Sequence, residues 1–170
     1  MITIERLSGC AERVLIARLV PRCTPATLRA RLFYPDGHAL GHEVVDLLTG
    51  PTTGVGYLAL DEHRPIGLAN MVPDETAGTV EVALLVADRW QRKGVGRRLI
   101  NEALADPRWA GYSVRATVAP GNRRILRLLR SLDLPMRMLD MAPGEYYYEL
   151  RGDRTRAGDR AVIGAASAAG

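Results

Sequence analysis

The stretch "TVEVALLVADRWQRKGVGRRL", residues 79–99, changes its period half-way along. Thr79 to Ala87 is an extended apolar run, and from Val95 the apolar residues recur at helical spacing. Between them stand Gly94 and Gly96, ringed by Gln91, Arg92, Lys93, Arg97 and Arg98. A helix start leaves backbone N–H groups unpaired and carries the positive end of the helix dipole. Glycines let a ligand come close to those groups, and the basic side chains add charge. A strand that becomes a helix through such a turn is a cradle for a phosphate or pyrophosphate.

Within the strand, Val80, Val82, Leu84 and Val86 share one face, and Glu81, Ala83, Leu85 and Ala87 the other. Both faces are apolar apart from Glu81, as in a central strand. A carboxylate enclosed among apolar residues holds a proton more readily, which suits a general base near neutral pH. The plainer alternative, equally open on spacing alone, is a wet or arginine-paired Glu81 at the strand start.

Working outward, 170 residues suit one domain with a substantial core. An apolar content of 47% with 25% charged residues predicts a globular chain. No run approaches the roughly 18 apolar residues of a membrane span. The start, "MITIERLSGC", lacks a basic region followed by an apolar one, so no signal peptide and a cytoplasmic location are expected. Cys10 and Cys23 make no disulfide framework and are expected as buried free thiols in helices. The net charge of +4 admits nucleic acid or a small polyanion. An aromatic content of 5% leaves little for base stacking, so nucleic acid is the weaker reading. His38, His42 and His63 lack a metal-binding spacing.

"MITIERL" reads as a first strand, followed by a helix from Ser8 or Gly9 to about Val20 with Val14, Leu15 and Leu19 inward. Thr24 as cap and Pro25 as first residue open a second helix with Leu28, Leu32 and Phe33 as its stripe. "HEVVDLLT" is a short third helix. "VGYLALD" and "PIGLANMV" are strands joined by the turn "EHRP", and "DETAGT" turns into the strand at Thr79. A helix follows with Val95, Leu99, Ile100, Ala103 and Leu104 on one face, then a strand over "GYSVRATVA". "NRRILRLLRSL" is helical, with Ile125, Leu128, Leu129 and Leu132 inward and four arginines outward on a solvated face. Two strands, 136–141 and 145–150, close the order β-α-α-(α)-β-β-β-α-β-α-β-β. Residues 1–150 form the expected domain, and 151–170 lose apolar periodicity and read as a flexible tail.

The run Val86-Ala87-Asp88-Arg89-Trp90-Gln91-Arg92-Lys93-Gly94-Val95-Gly96 resembles the acyl-CoA signature of the GNAT superfamily of N-acetyltransferases, Q/R-x-x-G-x-G/A after a strand-terminal apolar residue. "NRRILRLL" resembles the family's second conserved helix, and the element order over 2–150 is also the family's. The resemblance implies an α/β fold of the α+β type: a mixed, mostly antiparallel sheet of six to seven strands, helices on both faces, splayed at the cofactor site. It implies acetyl-CoA as acyl donor and no metal. Leu84, Leu85 and Val86 would meet its pantetheine arm; Gln91, Arg92, Lys93, Gly94, Val95, Gly96 and Arg97 its pyrophosphate; and Asn122 would contact it from the later helix. Glu81 matches the strand glutamate that many members use as general base. The acceptor would be a primary amine, on a small molecule or a protein lysine, and a homodimer is compatible. With no credible Cys nucleophile, direct attack by the amine is expected. The sequence departs from the family in two places. The helix tyrosine that protonates the leaving thiolate is Leu129, and the Gly-Phe after that helix is Asp133-Leu134. The acid is therefore unassigned; Tyr146, Tyr147 and Tyr148 carry hydroxyls but also suit strand packing. A CoA-binding regulatory domain without turnover is the alternative.

Overall fold

A computed structural model describes residues 1–7, 11–35, 37, 39–50, 53–76 and 78–151. The expected cap at Ser8 or Gly9, Cys10, His38 and the tail beyond Arg151 lie outside the described residues. The strands are β1 (Ile2–Arg6), β2 (Val55–Asp61), β3 (Arg64–Pro73), β4 (Thr79–Val86), β5 (Ser113–Val118), β6 (Met136–Ala142) and β7 (Glu145–Arg151). The helices are α1 (Ala11–Leu19), α2 (Pro25–Leu32), α3 (Glu43–Thr49), α4 (Val95–Ala105) and α5 (Arg123–Arg130). One seven-stranded sheet runs in the order β1-β2-β3-β4-β5-β7-β6. Every neighbouring pair is antiparallel except β4 and β5, whose connection crosses over through α4. The chain thus has the expected mixed, mostly antiparallel sheet with helices on both faces.

Alternation along the strands sorts the core into two layers. Tyr57, Ala59, Ala69, Met71, Val80 and Val82 pack under α4 and α5. Leu58, Leu60, Leu68, Leu85 and Ala87 pack under α1 to α3. Leu58, Leu68 and Leu99 are fully enclosed, each contributing roughly 1.5–3 kcal/mol by leaving water. Gly67 lets α4 close on the sheet: a Cβ there would stand 2.9 Å from Leu99 Cδ1.

Several expectations shift. In α1 Leu15 and Leu19 face inward as expected, joined by Ile16, while Val14 is 58% exposed. The β2–β3 turn is Glu62-His63 alone, both at positive φ as a tight two-residue hairpin needs; Arg64 and Pro65 already belong to β3. The α2 helix stops at Leu32, because Phe33 takes a left-handed φ of 58°. Arg151, assigned to the tail, pairs with Ser113 at the end of β7.

Candidate functional site: a cleft at the fork of β4 and β5

β4 pairs with β3 from Val80 to Val86 but with β5 at three positions only, Thr79, Val80 and Glu81. Beyond Glu81 the two strands part. The Ala87 N–H still donates to Ile66 of β3 at 2.9 Å. The Val86 carbonyl instead faces the fork and accepts from Gln91 Nε2 at 3.1 Å. By the alternation of strand backbones, Leu84 turns its N–H and C=O into the same gap.

A cleft of about 860 Å³ fills this fork and passes from one sheet face to the other. Ala26, Thr27, Ala30, Arg31 and Phe33 of the α2 segment line it on one face, and Asn122, Ile125 and Leu128 on the other. Arg92, Arg97, Arg123, Arg124 and Arg127 surround one end, while the acidic side chain among the described lining residues is Glu81. That excess of positive charge suits a polyanion.

The turn before α4 holds Arg92 at φ 61° and Gly94 at φ 80°. The first helical hydrogen bond runs from the Arg98 N–H to the Gly94 carbonyl at 3.0 Å, so the N–H groups of Val95, Gly96 and Arg97 precede it and aim out of the helix start. The two glycines do different work. Gly94 supplies the left-handed conformation, and no atom stands within 4 Å of a Cβ built on it. Gly96 lets the helix touch the strand, since a Cβ there would lie 3.0 Å from Leu84 Cδ2 and 3.1 Å from Leu128 Cδ2.

Glu81 sits at the last paired position before the fork. It is exposed rather than enclosed among apolar side chains, so the buried-base expectation is corrected: α2 and α3 cover β4 only farther along, at Leu85 and Ala87. Its carboxylate accepts a 2.8 Å hydrogen bond from Thr117 Oγ1 of β5. Arg31 stands across the cleft, on α2. Its Nη2 donates to Asn70 Oδ1 at 3.1 Å, and its Nε is enclosed without a hydrogen-bond partner. Burial pulls the Arg31 guanidinium down to about 10, a shift that the negative charge of Glu81 partly offsets.

Asp88 ties α2 to the turn. Its carboxylate accepts from the Thr24 N–H at 2.7 Å, from Thr27 Oγ1 at 2.9 Å and from Thr24 Oγ1 at 3.2 Å. Partial burial would raise its pKa, but these hydrogen bonds outweigh burial and hold it below the usual carboxylate value. Gln91 bridges three elements, donating to Val86 and Thr27 and accepting from Arg124 Nη1 at 2.8 Å. Asn122 caps α5 by accepting the Ile125 N–H at 3.3 Å.

Of the residues expected at the site, Glu81, Leu84, Leu85, Val86, Gln91, Arg92, Gly94, Gly96, Arg97 and Asn122 line the cleft. Two do not. Lys93 turns back, its Nζ 5.1 Å from the centre of the Trp90 ring. The Val95 side chain is buried in the core, leaving only its backbone at the helix start. Leu129, in the place of the usual tyrosine, is fully buried. Tyr148 is buried in the α4–α5 layer, whereas Tyr147 pairs with Thr117, on the face of Glu81, and its hydroxyl donates to Glu145. Glu149 of β7 is buried and bound to Ser113 and Arg137. Burial, and to a lesser degree Asp88, pushes the Cys23 thiol up to about 12, away from the thiolate form that nucleophilic attack needs.

Sequence reasoning missed Thr27, Arg31 and Phe33, and took the α5 arginines as purely solvated although Arg123, Arg124 and Arg127 line the cleft. The signal in α2 was a face of Ala26, Thr27, Ala30 and Arg31, at spacings of three and four, that lacks large apolar residues.

The profile of the acetyltransferase (GNAT) family matches residues 22–133, more than half of the chain. The chain belongs to the GNAT acetyltransferase family. Solved structures of acetyltransferases superpose on it at low identity. The GNAT domain of S. lividans PAT is 20% identical, with a TM-score of 0.71 over 86% of this chain and 88% of that one. An acetyltransferase from Thermus thermophilus is 16% identical, at 0.67 over 88% and 96%. Campylobacter jejuni N-acetyltransferase PseH, solved with acetyl coenzyme A, is 19% identical, at 0.55 over 90% and 100%. No curated protein matches the sequence. No helix among the described residues is long and apolar enough to cross a membrane.

Proposed function

We propose that this GNAT protein is an N-acetyltransferase that takes the acyl group of acetyl-CoA to a primary amine by direct attack. The observation that carries this is the fork. One end offers unpaired N–H groups at a helix start among Arg92, Arg97 and Arg124, where a pyrophosphate fits. The middle offers the open edge of β4 at Leu84 and Val86, against which an amide-bearing arm can lie like an added strand. The other end offers Glu81.

Acetyl-CoA supplies an activated thioester. Glu81 takes a proton from the incoming ammonium, directly or through water, and leaves a nucleophilic amine. As the N–C bond forms and the C–S bond breaks, the Leu84 N–H facing the fork is placed to donate to the developing oxyanion. The second amine proton ends on the thiolate, and the proton on Glu81 returns to solvent. A thiol pKa near 8.5 makes the thiolate a tolerable leaving group, which fits a chain with Leu129 in the place of the usual acid.

The test is to mix the protein with acetyl-CoA and a panel of amines, following both melting temperature and free thiol. A raised melting temperature with amine-dependent thiol release supports the enzyme. A melting shift with no thiol released from any amine favours the regulatory reading, and no shift at millimolar acetyl-CoA overturns both.

A further inference from the structure

The cleft has a feature that a thioester, a phosphate cradle and a base do not use. Arg31 puts a cation on the α2 wall facing the Glu81 end, away from the arginines of α4 and α5. Its Nη2 holds Asn70, which in turn donates from Nδ2 to the Leu48 carbonyl at 3.2 Å, so the guanidinium is anchored from behind. Among the described residues no carboxylate forms an ion pair with it: Glu81, whose charge it feels across the cleft, accepts from Thr117. Its enclosed Nε has no hydrogen-bond partner among the described residues. A guanidinium drawn out of water with a donor unused is costly unless something pairs with it. A guanidinium takes a carboxylate through two of its donors. Beside it, Ala30 leaves room and Phe33, turned by its left-handed φ, gives an apolar wall.

We propose that Arg31 anchors the acceptor, and that the acceptor is an amine carrying a carboxylate, such as a free amino acid. The carboxylate seats on Arg31 and the ammonium faces Glu81, so a zwitterion meets a charge of opposite sign at each end. Arg31 takes no part in the bond changes. It positions the amine and rejects acceptors that would leave the guanidinium unpaired. This rests on the acyltransferase reading, since it assigns the second substrate of the same cleft.

The experiment compares free amino acids with their amides and with the matching amines that lack the carboxyl group. Each is added to the wild-type protein, alone and with CoA, and melting temperature and tryptophan fluorescence are read. At least one amino acid is expected to raise the melting temperature, while its amide and its amine leave it unchanged at equal concentration. Arg31→Met is expected to lose that response and keep the full response to CoA, and Arg31→Lys to keep part of the first. Amides that act as well as the acids, or no response to any amino acid, overturn the proposal whether or not CoA binds. So does an Arg31→Met protein whose loss is in CoA binding, for the guanidinium then serves the donor. If Arg31→Met does not fold, the acid-against-amide comparison on the wild type decides alone. The acyltransferase reading fails by a separate sign, the absence of any shift with acetyl-CoA.

Discussion

Glu81 stands where β4 and β5 part, and its position explains its proposed use better than its burial does. It is exposed in the cleft, with Thr117 Oγ1 fixing one carboxylate oxygen at 2.8 Å. A base that must return its proton to solvent gains from that access. Glu81→Gln keeps the shape and removes the base, so turnover should fall by about 10²–10⁴-fold. Acetyl-CoA affinity should be nearly unchanged, because the phosphates lie at the other end. The deficit should narrow as pH rises, since more of the acceptor is then already a free amine. Steady-state kinetics from pH 6 to 9 would read this, and wild-type turnover throughout would make Glu81 structural. The residue itself was legible: one carboxylate in an otherwise apolar strand. Its surroundings were not, because the sequence does not say how far along β4 the α2–α3 cover reaches.

The turn between β4 and α4 shows how far element-scale reading goes. The strand, the helix and the glycine pair were all legible from the change of period at Ala87 to Val95. The direction of each side chain was not. It depends on left-handed residues at Arg92 and Gly94, which send Lys93 back onto Trp90; Val95 alone followed its apolar helical spacing into the core. Ala substitutions separate the two glycines. Gly94→Ala should cost about 1–2 kcal/mol through backbone strain alone. Gly96→Ala should cost about 1–3 kcal/mol by wedging α4 off Leu84 and Leu128, and should also weaken acetyl-CoA because the fork deforms. Urea unfolding with and without acetyl-CoA would distinguish them, and a Gly96→Ala protein of unchanged stability would refute the close contact. α2 is held to the same turn by Asp88, a tie that spans 64 residues of sequence and was invisible in it. Asp88→Asn should cost about 1–3 kcal/mol at pH 7. The folded pKa of Asp88 is depressed, so its contribution is present above the unfolded value of 3.8 and is lost as pH falls through the lower folded value. The gap between wild type and Asp88→Asn should therefore be constant near neutrality and close in acid.

At the scale of the whole molecule, the element order and the antiparallel meander followed from short apolar strands and their turns. The fork followed less directly. It exists because β4 and β5 are the parallel pair, joined through α4, and pair over three residues before diverging. α2 was the element least legible in function, because Arg31 and Phe33 become a cleft wall only once the sheet puts β4 opposite them. All described helices and strands lie between Ile2 and Arg151, and β7 ends by pairing Arg151 with Ser113. The chain after Arg151 has no apolar periodicity. A protein ending at Arg151 should therefore fold, melt within a few degrees of the full chain and keep the acetyl-CoA response. At a concentration a hundredfold above the dissociation constant that response amounts to about 2.7 kcal/mol of stabilisation in either protein. Ending the chain at Leu150 instead removes the last pair of the β5–β7 ladder, and should lower stability slightly while leaving the cleft intact. Thermal melts of the three proteins, each with and without acetyl-CoA, would check this. Should the protein ending at Arg151 melt many degrees lower, or lose its acetyl-CoA response, the residues beyond 151 pack on the domain and belong to it.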